Sequence, residues 1–395
     1  MTVSALETKT SSALLPVYKP LDVVIVGGAG SYLYAEDGRS LLDFTSGIGV
    51  NAFGYADSET NAVISEALGT GVIHTSNIMR TRPAAQLAER LIELSCADRV
   101  FFCNSGGEAN EGALKFARRF AGVVGGSAKH EVIALRGAFH GRLFGTMAVT
   151  DRPSFRQQFE PVMPAVRFVS PDQPDELLAA ASADRTAAII AEPVQGEGGV
   201  RPLSGEYLQL LRQTADRVNA SLIFDEVQCG LGRTGSLFAY QHFGCEPDII
   251  TLAKPLAGGL PMGAILVNER IASAIKPGDH ATTFGGGLLV SAVALSVVNR
   301  IAAPAFLRDV QMQSEHLANL LGRLAAHPKV KQVRGLGLMW GIELTVSAAP
   351  VQAKALAAGL LVTLAGENVV RLLPPLTVSA TELEHGIELL QAVLA

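Results

Sequence analysis

Ser221-Leu-Ile-Phe-Asp-Glu-Val-Gln228 and Asp248-Ile-Ile-Thr-Leu-Ala-Lys254 are the two stretches of the chain that decide its fold. Each contains a short apolar run bounded by polar residues, which is typical of a buried strand in a parallel sheet. The first run ends at Asp225 and the second leads to Lys254. Open α/β sheets bind ligands beyond the carboxyl ends of their strands, so we expect both side chains to face one crevice.

Lys254 and Asp225 together are the minimum set for pyridoxal phosphate chemistry. A lysine amine can form a Schiff base with the aldehyde of this cofactor. A carboxylate beside the pyridine nitrogen keeps that nitrogen protonated, so that the ring can accept electrons from the substrate. The pair therefore predicts a site for pyridoxal 5'-phosphate.

The composition bounds the size of the protein and the kind of partner. A chain of 395 residues is long enough for roughly two or three domains, each with its own core. Charged residues are only 17% of the chain and hydrophobic residues are 48%. This balance indicates surface buried between subunits, or else a simple bias toward alanine and valine. The net charge of −5 does not favour nucleic acid as a partner.

The cysteines and the hydropathy pattern predict a cytoplasmic protein. Cys96, Cys103, Cys229 and Cys245 are scattered and lack the spacing of metal ligands, which indicates a reducing compartment and no metal site. The segment 1–21 has no apolar stretch after basic residues, so no signal peptide is expected. No run of about 18 apolar residues is present, so no membrane span is expected.

The arrangement of apolar segments predicts an α/β protein with a second, smaller domain. Residues 23–44 indicate an antiparallel meander, with Gly27–Gly30 as a hairpin turn. From about residue 60, apolar runs alternate with helical segments, which predicts a mainly parallel sheet flanked by helices. These runs are Val100–Cys103, Val132–Leu135, Ala187–Ala191, Leu222–Phe224, Ile249–Leu252 and Gly263–Val267. After about residue 290, long helices and short strands indicate an α+β unit.

We therefore predict three segments of the chain. Residues 1–55 form an N-terminal segment and the meander, as part of the small domain. Residues 56–290 form the large domain that binds the cofactor, and residues 291–395 form the C-terminal small domain.

Two glycine-rich segments are candidate phosphate sites. Asn104-Ser-Gly-Gly-Glu-Ala-Asn-Glu111 follows one predicted strand and opens a helix, so its backbone N–H groups can bind phosphate. The alternative is an ordinary turn in which Ser105 caps the helix. Gly230-Leu-Gly-Arg-Thr-Gly235 matches a dinucleotide-binding pattern only weakly, because it opens no clear helix and no acidic residue follows a second strand about 20 positions later.

Several residues outside these loops are candidates for contacts with the cofactor or the substrate. Phe139 can stack on an electron-poor ring or pack in the core. Arg142 can clamp a substrate carboxylate or form a surface salt bridge. Glu197 lies on a glycine-rich loop, and Arg371 lies among apolar residues. A buried arginine needs an anion, which can be Glu197, a substrate carboxylate or a structural partner.

These motifs, in this order, resemble the class III aminotransferases, which are fold-type-I pyridoxal-phosphate enzymes, and among them most closely the acetylornithine group. The resemblance runs from Leu42 to Arg371. Its motifs are Phe102–Glu111, Phe139–Arg142, Glu192–Glu197, Phe224–Gln228, Leu252–Gly259 and Thr282–Gly286. The resemblance implies a small domain built from both chain ends and a cytoplasmic homodimer with shared active sites, acting in amino-acid and specifically arginine biosynthesis.

The resemblance also implies a role for each candidate residue. Lys254 carries the Schiff base and moves the proton, and Asp225 pairs with the pyridine nitrogen. The remaining cofactor contacts are Phe139 and Val227 on the ring faces, Gln228 on the phenolic oxygen, Ser105, Gly106 and Gly107 on the phosphate, and Thr283 on the phosphate of the neighbouring subunit. The substrate contacts are Arg142 and Thr282 at the distal end, Arg371 at the glutamate α-carboxylate, and Glu197 as the cover of Arg371.

Three positions differ from the usual family pattern. Gly107 replaces a threonine in the phosphate loop, and Gly287-Leu288 replaces Asn-Pro. Asn77-Ile-Met-Arg80 replaces a segment that is often aromatic and borders the substrate channel. The last difference bears on which amino donor the enzyme accepts.

The predicted reaction is transfer of the terminal amino group of an N-acetylornithine-like donor to 2-oxoglutarate, giving a semialdehyde and glutamate. Ornithine, 4-aminobutyrate or another ω-amino acid is an alternative donor. An aminomutase or epimerase on the same scaffold is a further alternative, and so is a protein that keeps the fold without catalysis. The Arg371–Glu197 combination favours an enzyme that alternates between two substrates.

Overall fold

A computed structural model describes residues 13–395. The first 12 residues of the predicted N-terminal segment lie outside this range. The strands are β1 Ile25–Ala29, β2 Tyr32–Ala35, β3 Ser40–Asp43, β4 Arg99–Cys103, β5 Glu131–Leu135, β6 Val166–Val169, β7 Thr186–Ala191, β8 Val194–Gln195, β9 Arg201–Pro202, β10 Ser221–Asp225, β11 Ile249–Leu252, β12 Gly263–Val267, β13 Val330–Leu336, β14 Met339–Leu344, β15 Leu360–Leu361, β16 Thr363–Leu364 and β17 Val369–Leu372.

Helices connect and cover these strands. The α-helices span Ser46–Gly49, Ser58–Gly69, Arg82–Leu94, Gly106–Gly125, Phe144–Ala148, Pro153–Arg156, Pro174–Ala180, Gly205–Arg217, Glu269–Ala272, Leu288–Ala302, Pro304–Leu324, Ala349–Ala357 and Ala380–Leu394. Short 3₁₀ helices span Gln157–Phe159, Ala239–His242 and Lys254–Ala257.

The central sheet has seven strands in the order β4-β12-β11-β10-β7-β5-β6. Strands β10, β11, β7, β5 and β6 pair in parallel, and every residue of β7, β10 and β11 is buried. Burial on both faces explains why these strands are continuous apolar runs rather than alternating ones. The prediction of a mainly parallel sheet flanked by helices is confirmed.

Two details of the sheets differ from expectation. Strand β12 runs antiparallel to both its neighbours. The sequence did not predict this, because an apolar run does not reveal the direction of its strand. The predicted hairpin is present, but its turn is Gly30-Ser31 and is shorter than the predicted Gly27–Gly30, because Gly27 and Gly28 belong to β1. A side chain at Gly28 would place its Cβ only 2.8 Å from the Tyr32 carbonyl oxygen, so the close strand pairing requires glycine there.

The two ends of the described chain meet in the smaller sheets. Strand β3 pairs in parallel with β15, and β13, β14, β17 and β16 form a separate sheet. Strand β17 carries Arg371 in its interior. The predicted boundaries at residues 55 and 290 stay predictions.

Within residues 13–395, no single helix is both long and apolar enough to cross a membrane. The bent pair Leu288–Ala302 and Pro304–Leu324, at 65° to each other, meets the criteria of length and composition only when its two helices are joined.

Candidate active site

A cavity of about 380 Å³ opens at the carboxyl edge of the central sheet. Its volume lies within the range of small-molecule sites. The wall is formed by Val50, Asn104, Ser105, Gly106, Gly107, Asn110, Phe139, His140, Gly141, Glu192, Glu197, Asp225, Val227, Gln228, Ala253, Lys254, Gly259, Leu260, Pro261 and Met262. The parallel strands all end at this edge, which explains how segments distant in sequence come together here.

Lys254 begins the short helix that follows β11, and its side chain borders the cavity. Burial by the surrounding protein lowers the pKa of its amine, and the positive charge of Arg371 lowers it further. A lowered pKa increases the fraction of neutral amine, which is the nucleophilic form. The backbone of Lys254 has a φ of +35°, an uncommon value for a residue with a side chain.

Asp225 at the end of β10 is held by three N–H donors. Its Oδ2 accepts from Asn110 Nδ2 at 2.7 Å and from His140 Nδ1 at 2.8 Å. Its Oδ1 accepts from the Val227 amide at 3.1 Å. Thr251 donates to Asn110 Oδ1 at 2.6 Å, so a second buried side chain orients the Asn110 amide. These contacts fix the carboxylate in one orientation at the cavity wall.

The loop at residues 104–107 combines the two interpretations that the sequence left open. Ser105 caps the helix Gly106–Gly125 by accepting from the Glu108 amide at 3.2 Å. Gly106 leaves room for its neighbour, because a Cβ there would lie 2.6 Å from Cγ1 of Val227. Gly107 has no such neighbour, because a Cβ there would find its closest atom, Leu143 Cγ, at 3.8 Å. The N-terminus of this helix faces the cavity and can bind an anion.

Phe139 and Glu192 form another part of the wall. The Phe139 amide donates to Glu192 Oε1 at 3.0 Å, and the Gly196 amide donates to Oε2 at 3.0 Å. Burial raises the pKa of Glu192 to about 7; nearby His140 lowers it and Asp225 raises it. The Phe139 ring meets the Phe155 ring edge to face at 6.5 Å between centroids.

The structure identifies Glu197 as the anionic partner of Arg371, a choice that the sequence left open. Its Nη1 lies 2.6 Å from Glu197 Oε1 and 3.2 Å from Gln228 Oε1, and its Nε donates to Thr363 at 3.1 Å. The Arg371 side chain is 2% exposed, whereas that of Glu197 is 33% exposed. The arginine is therefore the fixed member of the pair and the glutamate has room to move.

Four predicted site residues lie outside the cavity wall of the single chain. Arg371 lies behind Glu197, its partner at the wall, and the other three are Arg142, Thr282 and Thr283. The Arg142 guanidinium stacks on the Phe155 ring at 3.4 Å. Thr282 accepts from Asn104 Nδ2 at 3.2 Å, and Thr283 is exposed. Both threonines line a second cavity with residues 74–81, including Arg80.

Sequence reasoning missed residues that support Asp225. It assigned no role in the site to Asn110, His140 or Thr251. All three are buried, and they reach Asp225 directly or through Asn110. The position of Asn110 on a helix that opens next to the cavity was the one available signal.

Comparison with known proteins agrees with this geometry. The model of the aminotransferase class-III family matches residues 16–394. The mitochondrial acetylornithine aminotransferase of Alnus glutinosa is 46% identical over 382 residues, covering 95% of this chain and 84% of that protein. The acetylornithine aminotransferase of Methanocaldococcus jannaschii is 44% identical, with 96% and 95% covered.

Solved structures give the same result. The ornithine aminotransferase of Toxoplasma gondii superimposes with a TM-score of 0.94 at 26% identity, covering 100% of this chain and 95% of that one. The N-acetylornithine aminotransferase of Stenotrophomonas maltophilia has a TM-score of 0.82 at 34% identity, with 95% and 96% covered. The chain belongs to the class-III aminotransferase family. It is a pyridoxal-phosphate-dependent transaminase of fold type I.

The residues of the cavity fit pyridoxal phosphate. A lysine with a lowered pKa, a fixed carboxylate and a helix N-terminus border one space, and glycine at 106 keeps that space open beside Val227. Bound there, the cofactor supplies an electron sink for the substrate carbon.

Proposed function

We propose that the chain is an ω-aminotransferase that transfers the terminal amino group of an N-acetylornithine-like donor to 2-oxoglutarate. The observation that carries this proposal is the 2.6 Å ion pair between buried Arg371 and Glu197, because Glu197 borders the same cavity as Lys254 and the charge of Arg371 acts on the Lys254 amine. Glutamate presents an α-carboxylate beside its reacting amine, and Arg371 is free to bind it once Glu197 moves. An ω-amino donor has no carboxylate there, so Glu197 must stay to neutralise the arginine.

The other side chains have proposed roles that follow from their positions. We propose that Lys254 holds the cofactor and carries the proton, and that Asp225 meets the pyridine nitrogen. Phe139 and Val227 flank the ring, Gln228 meets its phenolic oxygen, and the 105–107 loop binds the phosphate. The catalytic demand on Lys254 is to accept and return one proton at Nζ, which its lowered pKa favours.

A panel of amino donors tests the choice of substrate, with 2-oxoglutarate as the acceptor and glutamate formation as the readout. N-acetylornithine should give the highest kcat/KM, well above free ornithine and 4-aminobutyrate. Two acetylornithine aminotransferases above 40% identity support this order. A clear preference for ornithine would instead favour an ornithine aminotransferase, which the T. gondii structural match makes the second candidate. A preference for N-acetylornithine would place the protein in amino-acid biosynthesis, at a step of arginine formation.

We also propose a homodimer with shared active sites. Thr283 is exposed, and the apolar side chains around the second cavity are exposed as well: Ile73 by 62%, Ile78 by 94%, Met79 by 61% and Phe284 by 63%. Such a patch favours burial against another subunit. Sedimentation velocity of the holoenzyme should show a dimer, and an active monomer at assay concentration would refute this proposal.

A cytoplasmic location is a further proposal. Its support is that Cys96, Cys103, Cys229 and Cys245 are all free thiols, as in a reducing compartment. Fractionation of cells with an antibody to the protein would test it, since recovery in an organelle or membrane fraction contradicts it.

A further inference from the structure

The loop that carries Glu197 is held by arginines at three successive carbonyl groups. Arg152 Nη2 donates to the Glu197 carbonyl at 2.5 Å. Arg201 Nε donates to the Gly198 carbonyl at 3.1 Å, and Arg334 Nε donates to the Gly199 carbonyl at 2.8 Å. We call residues 196–200 the counter-ion loop. Arg152 and Arg334 come from distant parts of the chain, whereas Arg201 directly follows the loop, so two separate segments hold the loop backbone.

Packing fixes the counter-ion loop further. A Cβ at Gly198 would lie 2.6 Å from the Gly137 carbonyl oxygen, so the two backbone segments are in direct contact. The Gly196 amide donates to buried Glu192 at 3.0 Å, and the Val200 amide donates to the Gly196 carbonyl at 3.3 Å. The backbone of the loop therefore cannot shift without breaking several contacts.

These contacts decide how the Glu197–Arg371 pair opens. Arg371 is buried and bonded to Thr363 and Gln228, so it stays in place. Movement of the loop backbone would break hydrogen bonds from charged donors, which are stronger than neutral ones. Rotation of the Glu197 side chain breaks one ion pair and leads into the cavity. Rotation is therefore the less costly way to expose Arg371.

We infer that Arg152 and Arg334 are specificity-determining positioning residues, which confine the opening of the pair to rotation of the Glu197 side chain. They hold the backbone so that Glu197 returns to Arg371 each time an ω-amino donor binds. This inference rests on the proposed alternation between an ω-amino donor and glutamate. Loss of either arginine frees the backbone, and Glu197 then has to be ordered again before each reaction with the ω-amino donor.

The test uses Arg152→Gln and Arg334→Gln in the holoenzyme, with each half-reaction followed separately by stopped-flow absorbance. The half-reaction with N-acetylornithine should fall about three- to tenfold in kcat/KM. The half-reaction with glutamate should stay within about twofold, because Glu197 is displaced from Arg371 in that complex. Equal slowing of both half-reactions would overturn the inference.

The matched controls remove nearby charges without touching the loop. Glu343→Gln deletes the carboxylate that pairs with Arg334 Nη1 and leaves the Arg334 Nε contact to Gly199. Arg156→Gln deletes a charge near Arg152 that lies 3.9 Å from Glu160. Both controls should leave the ratio of the two half-reactions unchanged. If Glu343→Gln changes the ratio as much as Arg334→Gln does, the backbone contact is not the cause.

Hydrogen exchange measured by mass spectrometry gives a readout that does not depend on activity. The Gly196 and Val200 amides should exchange faster in both glutamine variants and at the wild-type rate in Glu197→Ala. Unchanged exchange in the arginine variants would refute the positioning role of Arg152 and Arg334, whatever the kinetics. If a glutamine variant fails to retain the cofactor, Arg152→Lys or Arg334→Lys takes its place, because lysine keeps the charge and loses the guanidinium geometry.

The two proposals fail in different ways. Equal slowing of both half-reactions in Glu197→Ala would refute the alternation itself. A selective effect of Glu197→Ala without any selective effect of the arginine variants would refute only the positioning role.

Discussion

Replacement of Glu197 by alanine is the most direct perturbation of substrate alternation. It removes the carboxylate 2.6 Å from Arg371 and leaves that buried guanidinium with Gln228 and Thr363 as neutral partners. An unpaired buried charge costs about 3–5 kcal/mol. Because the Glu197 side chain is one-third exposed, water can enter after truncation, and we discount the cost to about 1–3 kcal/mol. This corresponds to roughly a 5- to 150-fold change in rate.

The penalty should fall on one half-reaction only. Glutamate supplies its own carboxylate to Arg371, so its half-reaction with Glu197→Ala should be unchanged or faster. The ω-amino donor leaves Arg371 unpaired, or its own carboxylate binds there and misplaces the reacting amine. Single-turnover measurements of Glu197→Ala with each substrate alone separate the effect on the glutamate half-reaction from the effect on the ω-amino donor half-reaction. The same measurements on Glu197→Gln, the isosteric variant, serve as the comparison. Equal slowing of both half-reactions would refute the argument and make Glu197 a structural residue.

Further predictions concern the cofactor site. Lys254→Ala should abolish turnover and keep the fold. Borohydride reduction of the wild type, followed by peptide mass spectrometry, should find the cofactor on Lys254. A modified lysine elsewhere would contradict the assignment. Gly106→Ala should lower the free energy of unfolding by about 1–3 kcal/mol and weaken cofactor retention, because the new methyl group collides with Val227. Gly107→Ala should be nearly neutral, because its Cβ would meet no atom closer than 3.8 Å. Equal effects of the two variants would refute this steric explanation. Since burial raises the pKa of Glu192 to about 7, folding favours its protonated form, and its contribution to the free energy of unfolding should fall as the pH rises from about 4.5 through 7. Urea titrations at several pH values should show a shallower fall in Glu192→Gln, and an unchanged slope would contradict the prediction.

The strands that position the site were predictable because they are buried on both faces. The runs ending at Asp225 and leading to Lys254 carry no alternating polar residues, so their length and their polar ends stand out in the sequence. Strand β6 was missed because Arg167 interrupts its four residues and the edge position leaves it partly exposed. The direction of β12 was also not predictable from the sequence, because it depends on the path of the segment that connects β11 to β12 and not on residue type.

The partner of Arg371 shows a different limit. Its place in an apolar strand predicted the need for an anion, but three candidates were consistent with the sequence. Glu197 and Arg371 are 174 positions apart and meet only when β17 packs beside the counter-ion loop. A tertiary contact of this kind follows from the fold as a whole, and the sequence supplied only the requirement for it.

The two buried carboxylates of the site illustrate the same limit and explain their separate roles. Asp225 is the last residue of β10 and Glu192 directly follows β7, and both border the cavity, so sequence position hardly distinguishes them. Their donors do: Asp225 accepts from Asn110, from His140 and from the Val227 amide, while Glu192 accepts from two backbone amides. Burial raises the pKa of Glu192 to about 7, and the nearby charge of Asp225 also raises it. Asp225 is thus the carboxylate that two side chains from other segments and one backbone amide hold in a single orientation, and a fixed carboxylate of this kind is suited to face a pyridinium nitrogen.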